Sequence, residues 1–169
     1  MFALSRNKLS RWGSALAFAL IAGLLLTTTA SARNTIAHTV KAGGPDACAA
    51  FGDRPGCDGN YSFSAILYAD GSVTGQFTDR FSGGNGIHGV VDCVSVEGNE
   101  AWVSGVITQG DFEGDDLAGL PFSTRVVDNG SSATDIDLIS TSHTGDETSC
   151  LEQADFDLLP TAPGNVVVR

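Results

Sequence analysis

The stretch "YSFSAILYADGSVTGQFTD", Tyr61 to Asp79, decides the fold. Tyr61, Phe63, Ala65 and Leu67 recur at every second position, so an extended chain places them on one face. Asp70-Gly71 is a tight-turn signal, and Val73, Gly75 and Phe77 alternate on the return. The reading is a β-hairpin with one apolar face.

Working outward, "HGVVDCVSVEGNEAWVSGVI", His88 to Ile107, gives a second hairpin, Ile87 to Val96 and Ala101 to Ile107 around Gly98-Asn99. Apolar residues occur on both of its faces, which predicts central strands partly covered on both sides. "TIAHTVKA" before these hairpins, and "FSTRVVDNG", "TDIDLIS" and "GNVVVR" after them, add further short runs. No segment has the period of a long amphipathic helix. The fold class expected is therefore all-β, a single antiparallel barrel of about eight short strands, with a two-sheet sandwich as the alternative. Gly75, Gly89 and Gly105 lie inside strand runs and favour the barrel, because glycine in a strand marks a bend or a close backbone approach. "TQGDFEGDDLAGL", Thr108 to Leu120, has no period and reads as a loop.

The first 32 residues read as a separate segment. Arg6, Lys8 and Arg11 precede an apolar core from Ala15 to Leu26, and Ala30-Ser31-Ala32 offers a small-x-small cleavage site, the pattern of a signal peptide. The apolar core falls short of the roughly 20 residues that span a bilayer, so no stable membrane insertion is expected after cleavage. The expected product is one secreted β-domain, residues 33–169, in an extracellular or periplasmic location. The 169 residues less this leader leave 137, enough for one hydrophobic core. Three of the nine Lys and Arg leave with the leader, so six face 20 acids and the net charge falls from −11 to near −14. Such a field opposes nucleic acid and anionic lipid.

All four cysteines lie in the expected mature chain, and export brings them into an oxidising compartment. Three pairings are possible. The one favoured joins Cys48 to Cys57 around "CAAFGDRPGC" and Cys93 to Cys150, a strand to a late loop. Zinc is the weaker reading, since there is no Cys-x-x-Cys and the histidines are scattered.

Few residues point to chemistry. Asp111, Glu113, Asp115 and Asp116 crowd six positions around a glycine, suitable material for calcium, whose shell takes six to eight oxygens. The spacing is not that of an EF-hand, because the twelfth position from Asp111 is Phe122. Asp128-Asn129-Gly130 is a turn signal. Asp135 and Asp137 share one face of an expected strand, as the wet side of an edge or as an acid/base pair. His38, His88 and His143 stand far apart, and there is no nucleophile elbow, metalloprotease helix or phosphate loop. Trp102 is the one tryptophan beyond the leader. Asn60-Tyr61-Ser62 and Asn129-Gly130-Ser131 match the glycosylation acceptor pattern.

The order "FSAILYADGSVTGQF", "IHGVV", "GNEAWVSGVI", "VVDNG", "TDIDLIS" and "PGNVVVR" resembles a family of small secreted, mostly bacterial, all-β domains of unassigned function. The resemblance covers Tyr61 to Arg169. It implies a compact β-domain behind a signal peptide and no established activity. The shared positions are His88-Gly89, Gly98-Asn99-Glu100-Ala101, Asp128-Asn129-Gly130, Asp135 and Gly164-Asn165, all of them turn and strand-end types. The family's glycine-rich start is reduced here to "KAGG", followed by the cysteine loop.

The leading functional expectation is a non-enzymatic secreted domain that binds a cation or an extracellular polymer. The alternative is an enzyme on a small barrel, acting on an apolar or carbohydrate ligand with His88 or an acidic residue as base. That alternative requires a pocket holding His88 or Asp92 beside Trp102. A third idea, inhibition of a partner through the Cys48–Cys57 loop, rests on the staple alone.

Overall fold

The structure is a computed structural model that describes residues 35–45, 60–81, 85–132, 134–145, 147–161 and 165–169. The leader, the Cys48–Cys57 loop and Gly164 lie outside the described residues. Five long strands form an antiparallel meander: β1 (Ile36–Pro45), β2 (Asn60–Tyr68), β3 (Val73–Arg80), β4 (Gly86–Glu97) and β5 (Glu100–Phe112). A two-residue strand, β6 (Asp115–Asp116), returns on the end of β5, and β7 (Pro121–Val127) pairs along its other edge. The rest is short: β8 (Leu138–Ile139), β9 (His143–Thr144), β10 (Leu159–Pro160) and β11 (Val166–Val168). The sheet order is β10-β8-β7-β5-β4-β3-β2-β1-β11, with β6 on β5 and β9 on β7, and the whole curls through 278°. The barrel-like all-β expectation holds, with more and shorter strands than the alternation showed.

The inner face carries the residues that the alternation assigned to it. Tyr61, Phe63, Ala65, Phe77, Ile87, Val91, Val103, Ile107, Phe122 and Val126 are all buried in one cluster. Aromatic rings fill the middle: Phe77 stacks on Phe122 at 4.3 Å, and Tyr61 lies 6.1 Å from Phe77. Gly89 and Gly105 make room for this stack. A Cβ on Gly89 would sit 2.9 Å from the Phe122 ring, and one on Gly105 would sit 1.9 Å from the Val90 carbonyl oxygen. The strand glycines thus mark close approach, as read from the sequence.

One bulge in β4 decides which side Cys93 faces. Val91 pairs with Gly105 and Cys93 with Ser104, leaving Asp92 as an extra residue. Strict alternation from Ile87 would point Cys93 into the core; the bulge sends Val94 inward instead and turns Cys93 outward. There it forms the disulfide with Cys150, 57 residues on. Cys150 opens a single 3-10 turn, Cys150–Glu152, that begins a roof over the outer face. The Cys150 amide donates to Ser104 Oγ (3.1 Å), Trp102 Nε1 donates to the Ala154 carbonyl (2.9 Å), and Gln153 Nε2 donates to Ser95 Oγ (3.1 Å). Arg125 lies 5.5 Å from the Trp102 ring centroid and bonds Glu100, Asp155 and the Phe156 carbonyl. The central strands are therefore covered on both faces only along the Cys93–Trp102 end, while Val90 and Val106 leave the rest of the outer face open to solvent.

Two expectations are corrected. Thr108 to Leu120 is not a loop: β5 continues to Phe112 and a hairpin turns at Glu113-Gly114, both with positive φ (53° and 94°), the signature of a type I′ turn. The arm projects beyond the core, so neither face needs apolar residues and no period was there to read. "TDIDLIS" is strand only at Leu138–Ile139, and Asp137 is not on a wet edge; it is fully buried.

Asp137 is buried because it helps to bridge the barrel seam. Counting strand directions round the meander, β7 and β11 run the same way, so no antiparallel ladder can join them. Carboxylates take the place of that ladder. Asp137 Oδ1 accepts from the Asn129 amide and Oδ2 from the Val166 amide, both at 2.9 Å. Asp128 Oδ1 accepts from the Gly130 amide and Oδ2 from the Val168 amide, both at 3.0 Å. A carboxylate accepts in several directions, so one side chain satisfies backbone groups from two segments.

Candidate functional site

The residues singled out for catalysis do not meet. His88 and Asp92 stand on the outer face of β4, exposed to solvent. His88 Nδ1 lies 3.1 Å from Thr78 Oγ1 on the neighbouring strand. Trp102 is 6% exposed, beneath the roof, opposite Ser95 and Arg125. His143 stacks on Phe156 at 4.0 Å, and His38 lies on β1. The barrel interior beneath His88 is filled by the aromatic stack, so the pocket required by the enzymatic alternative is not formed by these three residues.

The acidic run is likewise spread out. Asp111 pairs across the hairpin with Asp116, Phe112 pairs with Asp115, and Glu113 occupies the turn. Neighbouring positions on a strand point to opposite faces, which separates Asp115 from Asp116. Asp111 Oδ1 accepts from Asn85 Nδ2 (3.1 Å), and Asp116 Oδ1 accepts from the Ala118 amide (2.9 Å). Among the described residues no group of three or more His, Cys, Asp or Glu is placed to hold a metal ion. Asp135 accepts from the Ser132 amide at 3.3 Å, while Asp137 belongs to the seam, so these two are not an acid/base pair.

Of the positions shared in the resemblance, Gly98 to Ala101 and Asp128 to Gly130 meet at one end of the barrel, whereas His88-Gly89 lie near the start of β4 at the other. Asn99, in the β4–β5 turn, donates through Nδ2 to the Asp128 carbonyl at 2.8 Å and accepts from the Asp128 amide through its own carbonyl at 2.8 Å. Asn129 Nδ2 donates to the Ile136 carbonyl at 2.7 Å. Gly98 has φ +62° and starts a two-residue turn. Their chemistry is consumed in joining turns to the seam. Arg125 behaves similarly: its pKa is raised, chiefly by the hydrogen bond to Glu100, and it stays cationic as the hub of the roof.

A cleft of about 510 Å³ opens at the other end, where β3, β4 and β5 extend past the core. Asp79, Arg80 and Phe81 come from the end of β3, Asn85, Gly86 and His88 from the start of β4, and Gln109, Gly110 and Asp111 from β5. Two glycines form its floor: a Cβ on Gly110 would meet the Gly86 carbonyl oxygen at 2.1 Å, and one on Gly86 would meet the Asp79 carbonyl oxygen at 2.4 Å. A second bulge, at Thr108, sets Gln109 opposite His88, and Thr108 Oγ1 donates to the His88 carbonyl at 3.1 Å. Beside the cleft, Phe81 and Phe112 meet edge to face at 5.1 Å, and Phe112 is 45% exposed. Asp79 is buried and accepts from Ser142 Oγ at 3.2 Å.

Sequence reading missed most of this site. Arg80, Asn85 and Gln109 are isolated polar residues with no motif spacing, and the close approach at Gly86 and Gly110 carried no signal, since the strand glycines read as close approaches were Gly75, Gly89 and Gly105. Comparison with protein-family models, with curated proteins and with solved structures gives no match, so the geometry of the chain itself must support a function.

Proposed function

We propose that the protein is exported, loses its leader after Ala32, and serves as a non-catalytic binding domain for an extracellular polymer. The observation that carries this reading is the contrast between a filled interior and an open polar cleft on the surface. Aromatic packing leaves the middle of the barrel without a ligand chamber, while the cleft lies across three strand ends where a long chain can pass. The Cys93–Cys150 disulfide supports export, because structural disulfides persist in oxidising compartments. Rigid elements with short turns suit a domain that must hold its surface shape outside the cell.

The test is co-sedimentation of the oxidised 33–169 protein with insoluble cellulose, chitin, mannan and peptidoglycan. Saturable retention on at least one polymer, resistant to high salt, is expected. Uniform recovery in the supernatant would overturn the reading. Mass spectrometry of the protein recovered from its native host, showing a chain that starts at Arg33, is the expected sign of export; an intact leader on intracellular protein would refute it.

A further inference from the structure

We infer that the cleft at the ends of β3, β4 and β5 takes a short run of uncharged sugar units, an assignment that rests on the polymer-binding reading above. A sugar hydroxyl donates and accepts at once, so its site needs both kinds of partner close together. This cleft supplies them. Arg80 offers a guanidinium fork and Gln109 an amide, and neither has a side-chain partner among the described residues. Asp111 keeps one carboxylate oxygen beyond the bond from Asn85, and His88 keeps Nε2 beyond its contact with Thr78.

The mixture also argues against other ligands. A phosphate or acidic polymer brings negative charge, and would meet Asp79 and Asp111 in a chain of net charge near −14. A metal ion would meet the Arg80 cation, and no cluster of three ligands is placed to hold it among the described residues. Phe81 lines the cleft beside the polar groups and is braced edge to face by the nearly half-exposed Phe112, an apolar surface that suits the C–H face of a pyranose ring. The volume lies within the range of about 300–1,000 Å³ usual for ligand sites. Because the cleft is open, it accommodates an internal segment of a chain as readily as its end.

The experiment is titration of the isotope-labelled, oxidised 33–169 protein with cellohexaose, chitohexaose, xylohexaose and mannohexaose, followed by amide NMR, with polygalacturonate as the anionic control. At least one uncharged oligosaccharide is expected to shift the amides of Gly86, His88, Gln109 and Gly110, with little dependence on salt. Gln109→Ala and Phe112→Ala should each weaken binding by about ten-fold or more, with the urea midpoint unchanged. Shifts with polygalacturonate alone, reversed by salt, would overturn the assignment, as would variants that bind like wild type. Retention on an insoluble polymer that survives both substitutions would leave the polymer-binding reading standing and refute this cleft as its site. Failure to bind any polymer or oligosaccharide would refute both.

Discussion

Replacing Asp137 with Asn keeps the size of the side chain and removes its charge, which isolates the seam carboxylate. In the wild type both oxygens accept backbone N–H bonds at 2.9 Å, one from Asn129 and one from Val166, at a site with no solvent exposure. A hydrogen bond to a charged acceptor contributes about 1.5–3 kcal/mol, and a buried donor left without a partner costs about 1–3 kcal/mol. In the Asp137→Asn variant the side-chain amide accepts only one of the two bonds and turns an NH2 group toward the other donor. One charged bond is lost and the other becomes neutral, so the expected destabilisation is about 3 kcal/mol, a large share of the roughly 5–15 kcal/mol typical of a domain. Urea unfolding of the oxidised 33–169 protein measures this directly. With a slope near 2 kcal/mol/M, the midpoint should fall by about 1.5 M without a change in slope. Asp135→Asn is the internal control: Asp135 accepts from Ser132 at 3.3 Å near the surface, and its loss should cost under about 1 kcal/mol. Amide exchange adds a local readout, since Val166 and Asn129 should lose protection before β2 and β4 do. A loss below about 1 kcal/mol for Asp137→Asn, or equal losses at 135 and 137, would refute the seam argument.

Three other outcomes are expected. Converting Cys93 and Cys150 to Ala together should lower stability by about 4 kcal/mol, the chain-entropy value for a loop closed over 57 residues, and an unchanged urea midpoint would contradict it. Gly105→Ala places a methyl group against the Val90 carbonyl and should cost about 3 kcal/mol or more, whereas Gly98→Ala meets nothing within 4 Å and pays only for its positive φ, about 1–2 kcal/mol; the reverse order would show that core crowding has been misjudged. Melting in EDTA and in millimolar calcium should give the same midpoint, because the hairpin puts Asp111 and Asp116 on one face and Asp115 on the other, and no group of three ligands forms among the described residues; a rise of several degrees, abolished by neutralising Asp111, Asp115 and Asp116, would establish the calcium site instead.

The parts of this fold legible in the sequence are those where one face is buried and the other wet. Tyr61 to Asp79 announces its hairpin because burial enforces a period of two. Where that constraint lapses, the pattern goes silent. Phe112 to Asp116 forms strands with no core to face, and so reads as a loop. Asp137 misleads in the opposite way: Asp135 and Asp137 alternate with Ile136 and Leu138 as an edge strand would, but no ladder forms there and the carboxylate itself replaces one. The oxidising context made disulfides legible but left three pairings open, and the favoured Cys93–Cys150 bridge is formed in the structure. The cleft was not legible, because Arg80, Asn85 and Gln109 acquire meaning only when the Thr108 bulge and two glycines bring three strand ends together.

The Asp92 bulge has a consequence for how the chain tolerates changes in length. It works as a phase shift: residues before it and after it obey opposite parity, and both parities are in use. Regular pairing that kept Asp92 in the ladder would turn Cys93 inward and Val94 outward and take the anchor away from the roof, whereas deleting Asp92 would leave Cys93 opposite Ser104 and still facing outward. The projecting hairpin at Glu113-Gly114 has no such coupling, since nothing beyond it is counted from its register. Insertions and deletions in descendants of this sequence should therefore collect at that hairpin, or remove residue 92 itself, and avoid the rest of β4, where one codon carries the phase of an entire wall.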